Sequence, residues 1–142
     1  MDCRSLFPFE KIPQGAKVFI YGCTPLGQDY WQQLEITHYA ECLGFIDRKA
    51  KQYTSLPVPV FLPEEVRETE TDYVVIALLT PAQWQTVEAS LLAAGIGQEQ
   101  LVYGVFAKTN HPFMWTLSRR EERIALDLMV YVPMIQEGWL SP

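Results

Sequence analysis

An unbroken apolar run that ends in a glycine turn is the feature that most constrains the fold of this chain. The run extends from Lys17 to Tyr21 without polar alternation, which indicates a strand buried on both faces, as in a parallel sheet. Gly22 ends the strand. Thr24 and Pro25 then begin a helix, because a threonine hydroxyl caps a helix well and proline suits its first position. The stretch therefore predicts the opening strand–turn–helix unit of a parallel sheet.

The same alternation of strands and helices continues along the chain. Further strands are predicted at 42–46, at 60–61 as an edge strand, at 73–79 and at 101–106, and helices at 25–38, from 63 and at 81–94. Strands that alternate with helices predict parallel pairing with right-handed crossovers. We therefore expect a three-layer, Rossmann-like α/β fold in which 17–22 and 73–79 are adjacent central strands.

The sequence divides into a domain that contains this pattern and a C-terminal extension. Residues 1–106 are predicted to form the Rossmann-like domain, with an extended N-terminal arm that lies on its body. Residues 107–142 are predicted to form a C-terminal helical extension, whose helix is expected from about Ser118 to Val132 with an apolar face too broad for one contact. That face, with Leu126, Met129 and Val130, packs either on its own chain or against a second copy in a homodimer.

The composition limits the partners and the cellular location that we expect. The 142 residues fit one domain, and 17 acidic against 11 basic residues give a net charge of −6. From this charge we expect no nucleic-acid partner. No apolar run approaches the roughly 20 residues of a membrane helix, so no membrane partner is expected. Three scattered cysteines without a signal peptide predict a reducing, cytoplasmic location.

The glycine turn is the first candidate binding site. Its sequence, Gly22-Cys-Thr-Pro-Leu-Gly27, keeps the first and third glycines of the dinucleotide fingerprint but places Thr24 at the second. The threonine side chain obstructs a close approach of pyrophosphate, and Pro25 lacks an amide donor. Two interpretations stay open: the turn binds a nucleotide, or its glycines only allow a tight turn and close packing. Tight NAD binding is not expected.

Asp47 and Arg48 are the second candidate. Asp47 follows the second strand, where folds of this kind place an acid that binds ribose, although the same residue could simply cap a turn. Arg48 could attract a phosphate or an acidic sugar nucleotide. The predicted ligand-binding residues are those of the turn and of this pair: Gly22, Cys23, Thr24, Gly27, Asp47 and Arg48.

No catalytic or metal-binding constellation is recognisable in the sequence. Cys23 is either a nucleophile or a buried structural thiol, and no neighbour in sequence would lower its pKa. His38 and His111 belong to no triad or metal set. We assign no enzymatic activity. Two functions remain as alternatives: a non-catalytic nucleotide or sugar-nucleotide binding module, and a ligand-free interaction domain. An enzyme that uses Cys23 is a third and more distant alternative.

A family resemblance covers residues 7–106. The runs that carry it are 7–22, 26–30, 44–47, 63–65, 72–77 and 94–96. They resemble the Rossmann-like domains that accompany bacterial glycosyltransferases and surface-polysaccharide proteins. They are more distantly similar to the N-terminal domain of sugar O-acyltransferases, which binds a sugar nucleotide. The resemblance implies that a sugar nucleotide would contact Gly22, Cys23, Thr24 and Asp47. Acyl transfer is not implied, because the β-helix of those enzymes is absent.

Overall fold

The described residues form a five-stranded parallel sheet with helices on both faces. The computed structural model describes residues 7–53, 55–67, 70–78 and 81–103. The strands and helices are β1 (Lys17–Tyr21), α1 (Pro25–Thr37), β2 (Glu41–Ile46), β3 (Val60–Phe61), β4 (Tyr73–Ile76), α2 (Trp84–Ala93) and β5 (Leu101–Tyr103). The strand order is β3-β2-β1-β4-β5, and every pair is parallel. The predicted Rossmann-like α/β fold is confirmed.

The centre of the sheet is the junction of β1 with β4. Ile20 of β1 lies opposite Phe45 of β2 on one side and opposite Val75 of β4 on the other. The chain leaves β1 towards β2 and later returns to β4 on the opposite side, so the strand order reverses between β1 and β4. In open α/β sheets, such a reversal leaves a crevice outside the carboxyl ends of the strands, where ligands bind.

Each face of the sheet carries its own hydrophobic core. On one face, α1 buries Leu26, Tyr30 and Leu34 together with the N-terminal arm. On the other face, α2 buries Val87 and Leu91. Because β1 and β4 lie between two packed layers, their side chains are apolar in both directions, which explains the absence of polar alternation in the sequence.

The N-terminal arm lies on the body of the domain, as predicted. Phe7, Phe9 and Ile12 are buried, and the amide of Phe7 donates to Oε1 of the buried Gln33 at 2.8 Å. The arm is not wholly extended, because Phe9–Lys11 forms one 3₁₀ turn. Its two backbone hydrogen bonds are donated by Lys11 and Ile12, so the neighbouring prolines, which lack an amide hydrogen, do not prevent the turn.

The predicted element boundaries differ from the structure in three places. β4 ends at Ile76, although the amide of Ala77 still donates to the carbonyl of Tyr21 at 2.9 Å. The predicted acidic helix is one 3₁₀ turn, Pro63–Glu65, because Val66 turns extended and packs into the core. Helix α2 begins at Trp84 after a 3₁₀ turn at 81–83.

The predicted C-terminal extension, with Leu126, Met129 and Val130, lies outside the described residues. The same is true of His111 and of Thr80, whose position before Pro81 repeats the Thr24-Pro25 pattern and predicts a helix cap. The predictions made for them stay predictions.

Candidate functional site

The two glycines of the turn are explained by packing. Gly22 follows β1 with a φ of +109°, a left-handed conformation that favours glycine. A Cβ on Gly27 would collide with the carbonyl oxygen of Gly22 and lie 3.4 Å from the Cβ of Ala77. Glycine at 27 therefore lets the first turn of α1 rest directly on the end of β1. This is the role that the third glycine of a dinucleotide fingerprint has.

Thr24 connects the turn to two other elements. Its hydroxyl accepts a hydrogen bond from the amide of Gly27 at 3.1 Å, which caps α1 as predicted. The same hydroxyl donates to the carbonyl of Ala77, just beyond β4, at 2.9 Å. Thr24 thus joins the turn to the neighbouring strand across the crevice, a role that the sequence interpretation of Thr24 as an obstruction did not include.

Asp47 is held against the turn by two backbone amides. Its Oδ2 accepts from the amide of Cys23 at 3.0 Å, and its Oδ1 accepts from the amide of Lys49 at 2.8 Å. The side chain is half-buried. A carboxylate has about four acceptor positions, so these two bonds leave capacity for a ligand hydroxyl. Five predicted site residues, Gly22, Cys23, Thr24, Gly27 and Asp47, therefore meet at the carboxyl edge of the sheet.

Arg48 points away from this group of residues towards α2. Its Nη2 donates to the hydroxyl of Ser90. The two side chains line a groove of about 590 Å³, which also includes Arg67 and Glu64. Sequence reasoning missed Arg67 and Ser90. The available signal was weak: Arg67 is the basic residue within an acidic segment, and nothing in the sequence places it opposite Arg48.

Cys23 does not have the properties of a nucleophile. Its side chain is 4% exposed, and burial, with a smaller contribution from the Asp47 carboxylate, raises the pKa of the thiol to about 12. Burial likewise raises the pKa of Cys42 to about 12. Both thiols are therefore protonated at neutral pH, whereas nucleophilic cysteines need the thiolate.

Other candidate chemistry is limited in the described segments. His38 is exposed and ends α1 in a left-handed conformation, which is a structural role. Within residues 7–53, 55–67, 70–78 and 81–103, no three metal-ligating side chains cluster. In the same ranges, no helix combines the length and apolar character that crossing a bilayer requires.

Known proteins of similar structure share this architecture. No family model matches the chain. No curated protein sequence matches it either. The crystal structure of RSP, a Rex-family repressor, aligns with a TM-score of 0.50 and 14% identity over 88% of this chain and 64% of the repressor. The fold is Rossmann-like. RSP in complex with beta-NAD⁺ and operator DNA aligns with a TM-score of 0.47 and 15% identity, over 87% of this chain and 61% of RSP.

These likenesses concern the fold alone, since the identities are low. This chain spans less than two thirds of the length of the repressor. None of the comparisons bears on the resemblance to glycosyltransferase-associated or O-acyltransferase domains, which stays a prediction.

The prediction that the chain has no nucleic-acid partner is wrong. It rested on the net charge of −6, whereas a similar domain occurs in a repressor whose structure includes operator DNA. The physical reason is that net charge is a sum over the chain. It does not report where basic side chains lie or what a neighbouring region of a longer protein binds. We withdraw the exclusion.

Proposed function

We propose that this chain is a non-catalytic binding module for a nucleotide or sugar nucleotide, with the ribose bound at Asp47. One observation carries the proposal. The Asp47 carboxylate is fixed beside the glycine turn by the amides of Cys23 and Lys49, at the carboxyl edge of the sheet. An acceptor fixed in this way needs no reorganisation to receive the hydroxyl groups of a ribose.

The non-catalytic part of the proposal is supported by the state of Cys23. Its thiol is buried and its pKa is raised to about 12, so the turn offers no nucleophile at neutral pH. Thr24, the hydroxyl-bearing residue of the turn, uses its hydroxyl to join Gly27 and Ala77.

The pathway and the compartment belong to the same proposal. A link with surface-polysaccharide synthesis is supported by the resemblance of residues 7–106, and a sugar nucleotide is the ligand that this link favours. A cytoplasmic location is supported by the free thiols of Cys23 and Cys42.

Thermal-shift measurements and calorimetry with UDP, ADP, UDP-sugars and NAD⁺ test the proposal. A ligand that binds the native state alone raises its stability by an amount that grows with ligand concentration. Asp47→Asn keeps an oxygen that can accept from Cys23 and removes the charge. We expect it to weaken binding by about 10- to 150-fold, equivalent to the roughly 1.5–3 kcal/mol of a charged hydrogen bond. The 2′-deoxy form of the bound nucleotide should show a loss in the same direction.

Asp72→Asn is the matched control. Like Asp47, the Asp72 carboxylate accepts a hydrogen bond from a backbone amide, that of Lys17 at 2.9 Å, but it is exposed and lies at the opposite end of the sheet. It should change binding less than twofold. The proposal fails if no nucleotide at millimolar concentration raises the melting temperature, or if both variants weaken binding equally.

A ligand-free interaction domain is the second candidate, and the hydrogen bonds of the turn favour it. The amides of Gly22, Cys23, Gly27 and Gln28 all donate to protein acceptors, as they would in a turn that serves only packing. This candidate predicts no response to any nucleotide and self-association that sedimentation detects.

A further inference from the structure

We propose that the phosphate groups of the ligand are bound by Arg48 and Arg67, in the groove beside α2, and not by the glycine turn. The inference rests on the nucleotide-binding function proposed above. It names a second part of the ligand site, on the α2 face of the sheet, and assigns it to a phosphate or pyrophosphate group.

The glycine turn offers few donors to a phosphate. The amide of Gly22 donates to the carbonyl of Ile46 at 2.8 Å, and that of Gln28 to the carbonyl of Thr24 at 2.9 Å. Those of Cys23 and Gly27 are held by side chains, and Pro25 has no amide hydrogen. Helix ends bind anions through unoccupied amides, so a turn with these bonds made has lost most of that capacity.

The groove has the size and position that a phosphate site needs. Its volume is about 590 Å³, and it lies where β2 and β3 end. Arg48, which lines it, is the residue that follows Asp47 in the sequence. The residues that line it are Arg48, Leu62, Pro63, Glu64, Arg67, Ser90, Ala93 and Ala94. A nucleotide whose ribose contacts Asp47 therefore has the groove as an adjacent compartment.

The charges of the groove match an anion. Arg48 and Arg67 are both exposed, and neither forms an ion pair with a carboxylate in the described ranges, although Glu64 lines the same groove. Arg48 donates to Ser90 and also interacts with the hydroxyl of Tyr21, which leaves several of its five donors for a ligand. Guanidinium groups bind phosphate through paired, parallel hydrogen bonds.

A buried hydroxyl helps to position Arg48. Tyr21 is 4% exposed, and the Arg48 guanidinium is close enough to its hydroxyl to interact with it through a hydrogen bond and through its charge. Tyr21 itself does not line the groove. A hydroxyl that accepts from Arg48 helps to hold the guanidinium beside the groove, where it can meet a phosphate.

Inorganic pyrophosphate is the probe, because it reports the groove without the ribose or the base. Its binding is followed by calorimetry and by thermal shift at constant ionic strength, with sodium chloride as the reference salt. Arg48→Gln and Arg67→Gln should each weaken pyrophosphate binding at least tenfold. Lys51→Gln is the matched control: it removes an exposed basic side chain that does not line the groove, and should change binding less than twofold.

Tyr21→Phe tests the positioning of Arg48. Removal of a hydroxyl that interacts with an exposed guanidinium should change the stability of the free protein little, while pyrophosphate binding weakens several-fold. Unchanged pyrophosphate binding in Tyr21→Phe would overturn the role of Tyr21. If Lys51→Gln weakens binding as much as Arg67→Gln, the groove is not the phosphate site.

The inference and the proposed function can fail separately. Nucleotide binding that depends on Asp47 and not on Arg67 overturns the groove and retains the function. Pyrophosphate binding that depends on Arg67, in a protein whose Asp47→Asn variant binds nucleotides normally, supports the groove and overturns the ribose assignment. Absence of any pyrophosphate binding overturns the inference.

Discussion

Gly27→Ala is the substitution for which the structure and general helix propensity make opposite predictions. Within a helix, alanine is favoured over glycine by about 1 kcal/mol, so propensity alone predicts a more stable protein. At Gly27 the new Cβ would collide with the carbonyl oxygen of Gly22 and lie 3.2 Å from its carbonyl carbon. The obstacle is backbone, which cannot rotate away as a side chain would.

The expected cost follows from what must move. To admit the Cβ, the first turn of α1 has to shift away from the end of β1. That shift loosens the packing of Leu26 and Tyr30 and stretches the Thr24 hydrogen bond to the Gly27 amide. Overpacking of a rigid site typically costs 1–3 kcal/mol and occasionally more. We expect a net loss of about 2 kcal/mol, which is the upper end of this range less the gain of about 1 kcal/mol in helix propensity.

Urea unfolding followed by circular dichroism and tryptophan fluorescence measures the change. Two controls separate the possible causes. Gln32→Ala, at an exposed position of α1, should alter the unfolding free energy by less than about 0.5 kcal/mol. Gly95→Ala has open space around its Cβ but a φ of +97°, so it should cost about 1 kcal/mol through backbone strain alone. A Gly27→Ala variant as stable as wild type would refute the close approach of α1 to β1.

Two further predictions concern the turn. Thr24→Ala should lower the free energy of unfolding in urea by about 2 kcal/mol, because both the helix cap and the bond to Ala77 are lost. Thr24→Ser keeps the hydroxyl and should retain most of that stability. Equal losses in the two variants would contradict the role of the hydroxyl. The Cys23 thiol, whose pKa is raised from 9.0 to about 12, should react with iodoacetamide at pH 8 far more slowly than it does in the urea-unfolded chain. The unfolded chain ionises first, so stability should fall between about pH 9 and 12, and less steeply in Cys23→Ala; an identical pH profile for that variant would contradict the shift.

The central strands could be predicted from sequence because their pattern has a single physical cause. A run such as 17–21, apolar on both faces, is stable only between two packed layers, so it indicates the middle of a parallel sheet. The start of α1 was predictable for a similar reason, because Thr24 and Pro25 act on neighbours within one turn. The helix was predicted to run to about His38, and it ends at Thr37 with His38 as its left-handed C-cap.

The connections within the site could not be predicted, because they join residues distant in sequence. Thr24 donates to Ala77 across 53 residues, and Arg48 to Ser90 across 42. A sequence motif identifies the residues of a turn but not their hydrogen-bond partners. For that reason the fingerprint left open whether the turn binds an anion, which depends on the acceptor that each of its amides meets in the fold.

The position of β1 in the sequence also determines the delay between its synthesis and the synthesis of its neighbouring strands. Lys17, at the start of β1, is 55 residues from its partner Asp72, which precedes β4. Cys23, just after β1, is only 24 residues from its partner Asp47, which follows β2. The longer loop costs only about 0.7 kcal/mol more to close, a small thermodynamic difference. During translation at 5–20 residues per second, however, those 55 residues take roughly 3–11 s to synthesise, whereas short loops close in well under a microsecond. For those seconds, one edge of β1 has no β4 beside it on the ribosome. β2 is synthesised earlier but pairs with the opposite edge of β1, so the nascent chain still exposes an unpaired hydrophobic edge where β4 will bind.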